Sequence, residues 1–270
     1  MFLSDLALAR RLERAEGRSC VSFAAARRRL FPDSGAEWLE CAGAFVVFDG
    51  VDSPVTQSFG LGITEELTPA VLDLVERFFL DRGAPVMLEI CPLAGVPVLD
   101  MLCRRNYRPV EISSVLYRPV QLPEASIGRD TGARLIEPHE TQLWTDISSR
   151  GWTHEHPEYL DLHRDLGVLC SAREDGYCFL GEFQGQPGAA GALCLHDKVA
   201  VFAGASTVPE LRRRGLQAAL LNERMRFAVE AGCDLAMMVA EAGSNSQRNA
   251  ERQGFRIAYT RTKWRLSPAA

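Results

Sequence analysis

One order of elements that occurs twice constrains this chain more than any single motif. The stretches "LEICPLAGVPVLDMLCRRNYRP" (88–109) and "MMVAEAGSNSQRNAERQGFRIA" (237–258) come into line when one is slid by about 148 positions. Ala94-Gly95 then meets Ala242-Gly243, Arg104 meets Arg252, Tyr107 meets Phe255 and Arg108 meets Arg256. The same shift carries the helical stretch 69–82 onto 216–231 and the strand-like 85–90 onto 233–238. Identities are few, but order and spacing agree, which reads as a duplicated domain. Between the copies, "QLPEASIGRDTG" (121–132) is polar, carries Pro and Gly and lacks a hydrophobic period, as a linker does. The expected organisation is one domain at 1–120, a linker at 121–132 and a second domain at 133–270.

In the second domain, "LWTDISSRGWTHEHPEYLDLHRDLG" reads as helix broken around Gly151 and Pro157. Strand candidates follow at 177–183, 191–196 and 199–207, with turn signals at Gly185–Gly188 and Asp197-Lys198. A helix after Arg214 carries Leu216, Leu220 and Phe227 on one stripe, with Leu221, Met225 and Ala228 beside it. Ala231-Gly232 ends it. The fold class is α/β, with a mixed, mostly antiparallel sheet flanked by helices.

With 24% charged residues and a net charge of −5, the chain does not read as a general nucleic-acid binder. Arg27-Arg28-Arg29 reads as a solvated helix face. No apolar run approaches the ~18 residues of a membrane helix. The opening "MFLSDLALARRLER" reads as an amphipathic helix with Leu3, Leu6, Ala7 and Leu12 on its apolar face, not as a signal peptide. Eight cysteines without a CxxC pair suit a reduced, cytoplasmic protein. No GxxxxGK[ST] occurs, and the lone Gly60-x-Gly62 carries no dinucleotide pattern.

"VPELRRRGLQAALL" (208–221) is the most unusual stretch. A helix N-terminus already carries about half a positive charge, so Arg212, Arg213 and Arg214 would repel it unless an anion binds there. Gly215 permits close backbone approach, and the first helical N–H groups lack intrahelical partners. Together they describe a phosphate cradle. The equivalent stretch of the first copy, "TEELTP" (64–69), has acids, a Thr68 cap and Pro69 instead, so that helix start serves itself.

These residues resemble the GNAT superfamily of N-acetyltransferases. Arg212 and Gly215 fill the first and fourth positions of that family's [Q/R]-x-x-G-x-[G/A] motif, whereas Gln217 departs from the small residue at the sixth. "GSNSQRNAERQGF" (243–255) is similar to its second motif. The resemblance covers 133–270; the first copy would be a degenerate tandem GNAT-like domain. It implies acetyl-CoA as the acetyl donor and a primary amine, of a small molecule, as the acceptor. Backbone N–H groups from Arg213 through Arg214, Gly215, Leu216 and Gln217 to Ala218 would hold the CoA pyrophosphate. Thr207 and Val208 would pair with the pantetheine arm, and Val208 N–H would serve the oxyanion. Ser246 and Asn249 would line the CoA channel, and Arg248 would reach a phosphate.

Two side chains common in the family are missing. The position of its tyrosine acid is Ala250, and that of an upstream carboxylate is Phe202. Glu241 and Glu182 are the replacement candidates for a base. Trp152, His154 and Tyr159 in "GWTHEHPEY" (151–159) would shape the acceptor cleft. The HxH of His154 and His156 lacks a third ligand at a recognisable spacing, so no metal site is expected. Ala250 and Phe202 keep a second reading open, a non-catalytic acyl-CoA-binding or interaction protein.

Overall fold

A computed structural model describes residues 4–123, 128–154 and 156–268. The chain divides into two compact units, Met1–Arg118 together with Met237–Ala270, and Pro119–Ala236. No helix among the described residues is long and apolar enough to cross a membrane.

The first unit opens with α1 (Leu6–Leu30), whose start is capped by Asp5 accepting from the Leu8 amide at 2.9 Å. Its buried face runs through Leu8, Ala9, Leu12, Glu13 and Ala15. The expected face is therefore rotated: Ala7 is exposed, Leu6 half-buried, and Leu3 lies outside the described residues. Twenty-five helical residues decide the packing face, and the first dozen do not represent them. Of the arginine run near its end, Arg28 and Arg29 are exposed as expected, whereas Arg27 is half-buried. Arg27 holds the buried Asp49 through two bonds of 2.9 and 3.1 Å, and Arg28 lies over the Trp38 ring at 4.7 Å.

Then follow β1 (Glu37–Cys41), β2 (Ala44–Phe48), β3 (Gln57–Phe59), α2 (Pro69–Leu80), β4 (Met87–Ile90), α3 (Val96–Arg104) and β5 (Tyr107–Pro119). The second unit contributes β6 (Thr131–Leu135), α4 (Thr141–Thr153), α5 (Leu160–Ser171), β7 (Gly176–Phe183), β8 (Gln186–His196), β9 (Val199–Thr207) and α6 (Leu216–Glu230). β10 (Leu235–Glu241) starts at its end, and α7 (Asn245–Arg252) and β11 (Arg256–Leu266) belong to the first unit. The repeat is thus realised: α2–β4–α3–β5 and α6–β10–α7–β11 follow the same order at the expected spacing.

The compact division departs from the expected boundaries at the C-terminal end. β11 lies between β4 and β5, antiparallel to both, and Trp264 joins the core formed by Val46, Leu72, Phe79 and Leu88. A repeat states the order of elements but not which sheet receives the last strand. The linker is also shorter than expected, since β6 begins at Thr131; residues 124–127 lie outside the described residues.

In the second unit the strands run β9-β8-β7-β6, each antiparallel to the next. Its hairpins turn on left-handed pairs, Gln184-Gly185 and Asp197-Lys198, as the right-handed twist of the strands demands. β8 begins directly after the first pair, so Gly188 is a strand residue and not a turn residue. α4 passes through Gly151, breaks after Thr153, and α5 resumes beyond a single 3-10 turn at Pro157–Tyr159. The buried Trp144 of α4 donates from Nε1 to the Phe179 carbonyl at 3.0 Å.

Strand β11 also brings a guanidinium into the first unit. Arg261, 2% exposed, bonds Glu13 at 3.2 Å and Glu16 at 2.6 and 2.7 Å, and lies 3.0 Å from Glu89. Tyr259 donates to Glu13 at 2.8 Å. Burial pushes the Glu13 and Glu89 carboxyls up, and Arg261 opposes that rise. Arg261→Met leaves these carboxylates buried and lowers unfolding stability by about 3–5 kcal/mol near neutral pH. A carboxyl raised in the folded state binds its proton more tightly there, so stability falls as pH rises above the ordinary carboxylate range. The loss therefore grows with pH and shrinks toward acid, which denaturant unfolding at several pH values measures.

Candidate functional site

Between β9 and α6 the backbone makes an unusual turn. A 3-10 segment, Pro209–Leu211, leads to Arg212 in extended conformation and then Arg213 at φ 62°. Gly215 at φ 81° is the N-cap of α6, and no side chain caps that helix. A left-handed Arg costs about 1 kcal/mol or more, a strain kept only where the surroundings fix it. The amides of Gly215, Leu216, Gln217 and Ala218 are the ones that a helix start leaves without intrahelical partners. By contrast, Thr68 caps α2 by accepting from the Val71 amide at 3.3 Å, with Pro69 next, as the sequence predicts.

Arg212, Arg213, Arg214, Gly215 and Gln217 are exposed, Ala218 is half-buried, and Leu216 packs inward so that only its backbone faces the turn. Arg212 donates to the Thr207 carbonyl at 3.3 Å and the Gly151 carbonyl at 3.4 Å. Its guanidinium also lies 2.9 and 3.0 Å from the two ring nitrogens of His154. His154 therefore adjoins the arginine turn. Arg214 lies over the Phe183 ring at 5.1 Å, and its carbonyl accepts from the Thr131 hydroxyl at 3.0 Å. Gln217, the departure from the family motif, donates to Thr207 Oγ1 at 2.8 Å and ties the helix start to the end of β9.

Val208 is not a free donor. Its N–H already bonds the Gly188 carbonyl at 2.9 Å, continuing the β8–β9 ladder beyond the strand end. The accessible backbone of β9 lies further back. Ala192 faces Ala203 and Ala190 faces Ser206, so β9 carries one extra residue between them. Gly204 sits there at φ 60°, and Ala203 and Gly204 are exposed in mid-strand. A bulge leaves main-chain groups outside the ladder and turns them outward. The signal was a glycine inside the strand pattern "VAVFAGAST", which marks a bulge or a close backbone approach.

The acid candidates fare unequally. Glu182 accepts from Arg134 Nε at 2.9 Å, and the same guanidinium holds Glu140 at 2.5 and 2.7 Å. Arg134 and the Glu137 amide hold Glu140 down to about 2. Glu182 also sits on β7, two strands from β9, roughly 10 Å across the sheet. The structure thus places Glu182 in an ion pair with Arg134, away from the bulge of β9. Trp152 and Tyr159 are exposed; Trp152 stacks on His163 with centroids 5.9 Å apart, and Tyr159 meets His156 at 6.1 Å. Burial pulls the His163 pKa down. Phe202 is buried.

Glu241, Ser246, Arg248 and Asn249 lie in the first unit. Glu241 is exposed at the end of β10. Ser244 caps α7, on which Ser246 and Asn249 are exposed. Arg248 donates to the Gly243 carbonyl at 2.9 Å and to Asn245 at 2.6 Å, and Asn249 accepts from Arg252 at 3.1 Å. Ala250 is buried.

The repeat pairs Val208 with Gly60 of the first copy. There the amide also has a partner, but an anionic one: Gly60 N–H donates to Glu13 Oε2 at 3.1 Å.

Gly188 is where β8 passes close to the arginine turn, because a Cβ there collides with the Leu211 side chain. Gly188→Ala is expected to lower stability by about 1–3 kcal/mol through overpacking, read by thermal unfolding.

The model of the family described as "Acetyltransferase (GNAT) family" matches residues 140–255. Among solved structures, the chain is similar to a GCN5-related N-acetyltransferase from Kribbella flavida, at 18% identity and a TM-score of 0.64, covering 93% of this chain and 96% of that one. It is also similar to a tandem GNAT protein from the clavulanic acid biosynthesis pathway, at 10% identity and a TM-score of 0.57, covering 100% and 98%. A GCN5-related N-acetyltransferase from Sphaerobacter thermophilus aligns at 15% identity and a TM-score of 0.53, covering 87% and 77%. No curated protein matches the sequence.

Proposed function

We propose, from the match of residues 140–255 to the GNAT acetyltransferase family model, that the second unit binds acetyl-CoA and transfers its acetyl group to a primary amine of a small molecule. The observation that carries this reading is the start of α6, uncapped behind a left-handed arginine–glycine turn. The first-turn amides and the helix dipole favour an anion. Arg212, Arg213 and Arg214 add three cations, and planar guanidinium groups match phosphate oxygens two at a time. A pyrophosphate is the group this turn suits.

The exposed bulge of β9 supports the rest. Ala203 and Gly204 offer main-chain groups to the pantetheine arm and thioester, the role that Val208 cannot fill while it donates to Gly188. Acetyl-CoA supplies the activated acyl carbon. The neutral amine forms a C–N bond to it as the C–S bond breaks, the amine proton passes to water, and the thiolate takes one back. A backbone amide at the bulge would stabilise the negative oxygen formed on the way. Trp152 and Tyr159 would flank the acceptor. His154 would help to hold Arg212, not the acceptor.

Isothermal titration with acetyl-CoA and a CoA-release assay across an amine panel test this. Acetyl-CoA is expected to bind, and Arg214→Glu to weaken binding about tenfold or more, as reversal of one phosphate-facing charge does. No binding to the unsubstituted protein overturns the reading. Binding with no turnover for any amine favours a non-catalytic acyl-CoA-binding protein, in keeping with the buried Ala250 and Phe202.

A further inference from the structure

Arg224 occupies a place where an arginine is not expected. It lies on α6 among Leu220, Leu221, Met225 and Ala228 and is 3% exposed. Buried cations ordinarily meet a carboxylate. Here its hydrogen bonds among the described residues go to main-chain carbonyls: Nε to Leu220 at 3.1 Å, and Nη1 to Ala192 at 2.9 Å and Ala203 at 3.3 Å. The guanidinium also lies over the Phe202 ring at 5.1 Å. No acid among the described residues pairs with it, and burial alone pulls its pKa down to about 10. The fold makes room for it, since a Cβ on Gly191 would lie 3.1 Å from the guanidinium carbon.

Its location suggests why an uncompensated charge is kept. Ala192 and Ala203 are the last facing pair before the register shift, so one guanidinium pins both strands at the edge of the bulge. The Ala203–Gly204 peptide is trans. In a planar trans peptide, C=O and N–H point to opposite sides. An Ala203 oxygen drawn toward Arg224 therefore turns the Gly204 N–H away from it. A cation on the oxygen also polarises the peptide and makes that N–H a stronger donor.

We propose that Arg224 is a positioning residue that fixes and polarises the Ala203–Gly204 peptide, so that the Gly204 N–H donates to the thioester oxygen of the acyl donor. The proposal rests on reading β9 as the thioester-binding strand. It also gives Phe202 a role, because its ring is the face against which the guanidinium lies.

The test uses the full chain with Arg224→Met, Arg224→Gln and Arg224→Lys, and acetyl-CoA carrying 13C at the acetyl carbonyl. In the ligand-free protein the Gly204 amide proton is expected to shift upfield in the Met and Gln variants and to stay near its original position in the Lys variant. With acetyl-CoA bound, the infrared carbonyl stretch is expected to fall below its value in water for the unsubstituted and Lys proteins, and to fall less for Met and Gln. Kd should stay within about threefold, while kcat drops about tenfold to a hundredfold on weakening such a donor. If Arg224→Met does not fold, the Gln and Lys pair decides. Equal Gly204 and carbonyl shifts in folded charged and neutral variants overturn the role of Arg224 and leave the cofactor reading standing. Absence of acetyl-CoA binding to the unsubstituted protein overturns both.

Discussion

Four amides at the start of α6 need partners, and much of the second unit is arranged around that requirement. Gly215 enters the helix left-handed and offers no side chain, and no side chain caps them. The preceding residues keep the turn open: Gln217 ties back to Thr207, Arg212 grips the Thr207 and Gly151 carbonyls, and Leu211 packs against Gly188. Each of these contacts connects the turn to β8, β9 or α4. The turn is thus tied to β8, β9 and α4, which sets its distance from the bulge of β9.

Features that depend on local chemistry were legible in the sequence. A Thr-Pro start for α2, a glycine start for α6, the turn pairs and the repeated order all follow from residue types at fixed offsets. Features set by tertiary pairing were not. Nothing in "WTHEHP" says that His154 will lie against Arg212, because the contact joins residues 58 positions apart. The Val208 amide looked available because its partner, Gly188, belongs to a strand that reads as part of a turn. Glu182 looked like a possible base because the composition of β7 does not reveal that Arg134 stands opposite. The C-terminal strand could not be placed, since pairing with β4 and β5 is a matter of which edge is open.

Arg224 illustrates a subtler limit. Its position on the apolar stripe was visible, for Leu220, Leu221, Met225 and Ala228 surround it at helical spacing. A long side chain can leave such a stripe with its head in water, and a sequence cannot tell this from true burial. Only the structure shows that the head ends on two strand carbonyls beside an exposed glycine. Buried charge without a counter-charge weakens a core, so its presence beside the bulge is better explained by what it does to that peptide than by stability.

The two copies answer one geometric problem in opposite ways. At the end of the strand that precedes each helix, the first copy closes its Gly60 amide with the Glu13 carboxylate, itself held by Tyr259 and Arg261. The second copy closes the corresponding Val208 amide with a neutral carbonyl and leaves Ala203 and Gly204 of the same strand exposed. The Glu13 carboxyl occupies the donor that a further acceptor would need. The first copy also caps its helix with Thr68 and places Glu65 and Glu66 before it. Acids before the helix, the Thr68 cap and the occupied Gly60 amide all act in the same direction, against an anionic ligand. The charge pattern therefore separates the copies by electrostatics: the start of α6 favours an anion, and the start of α2 disfavours one.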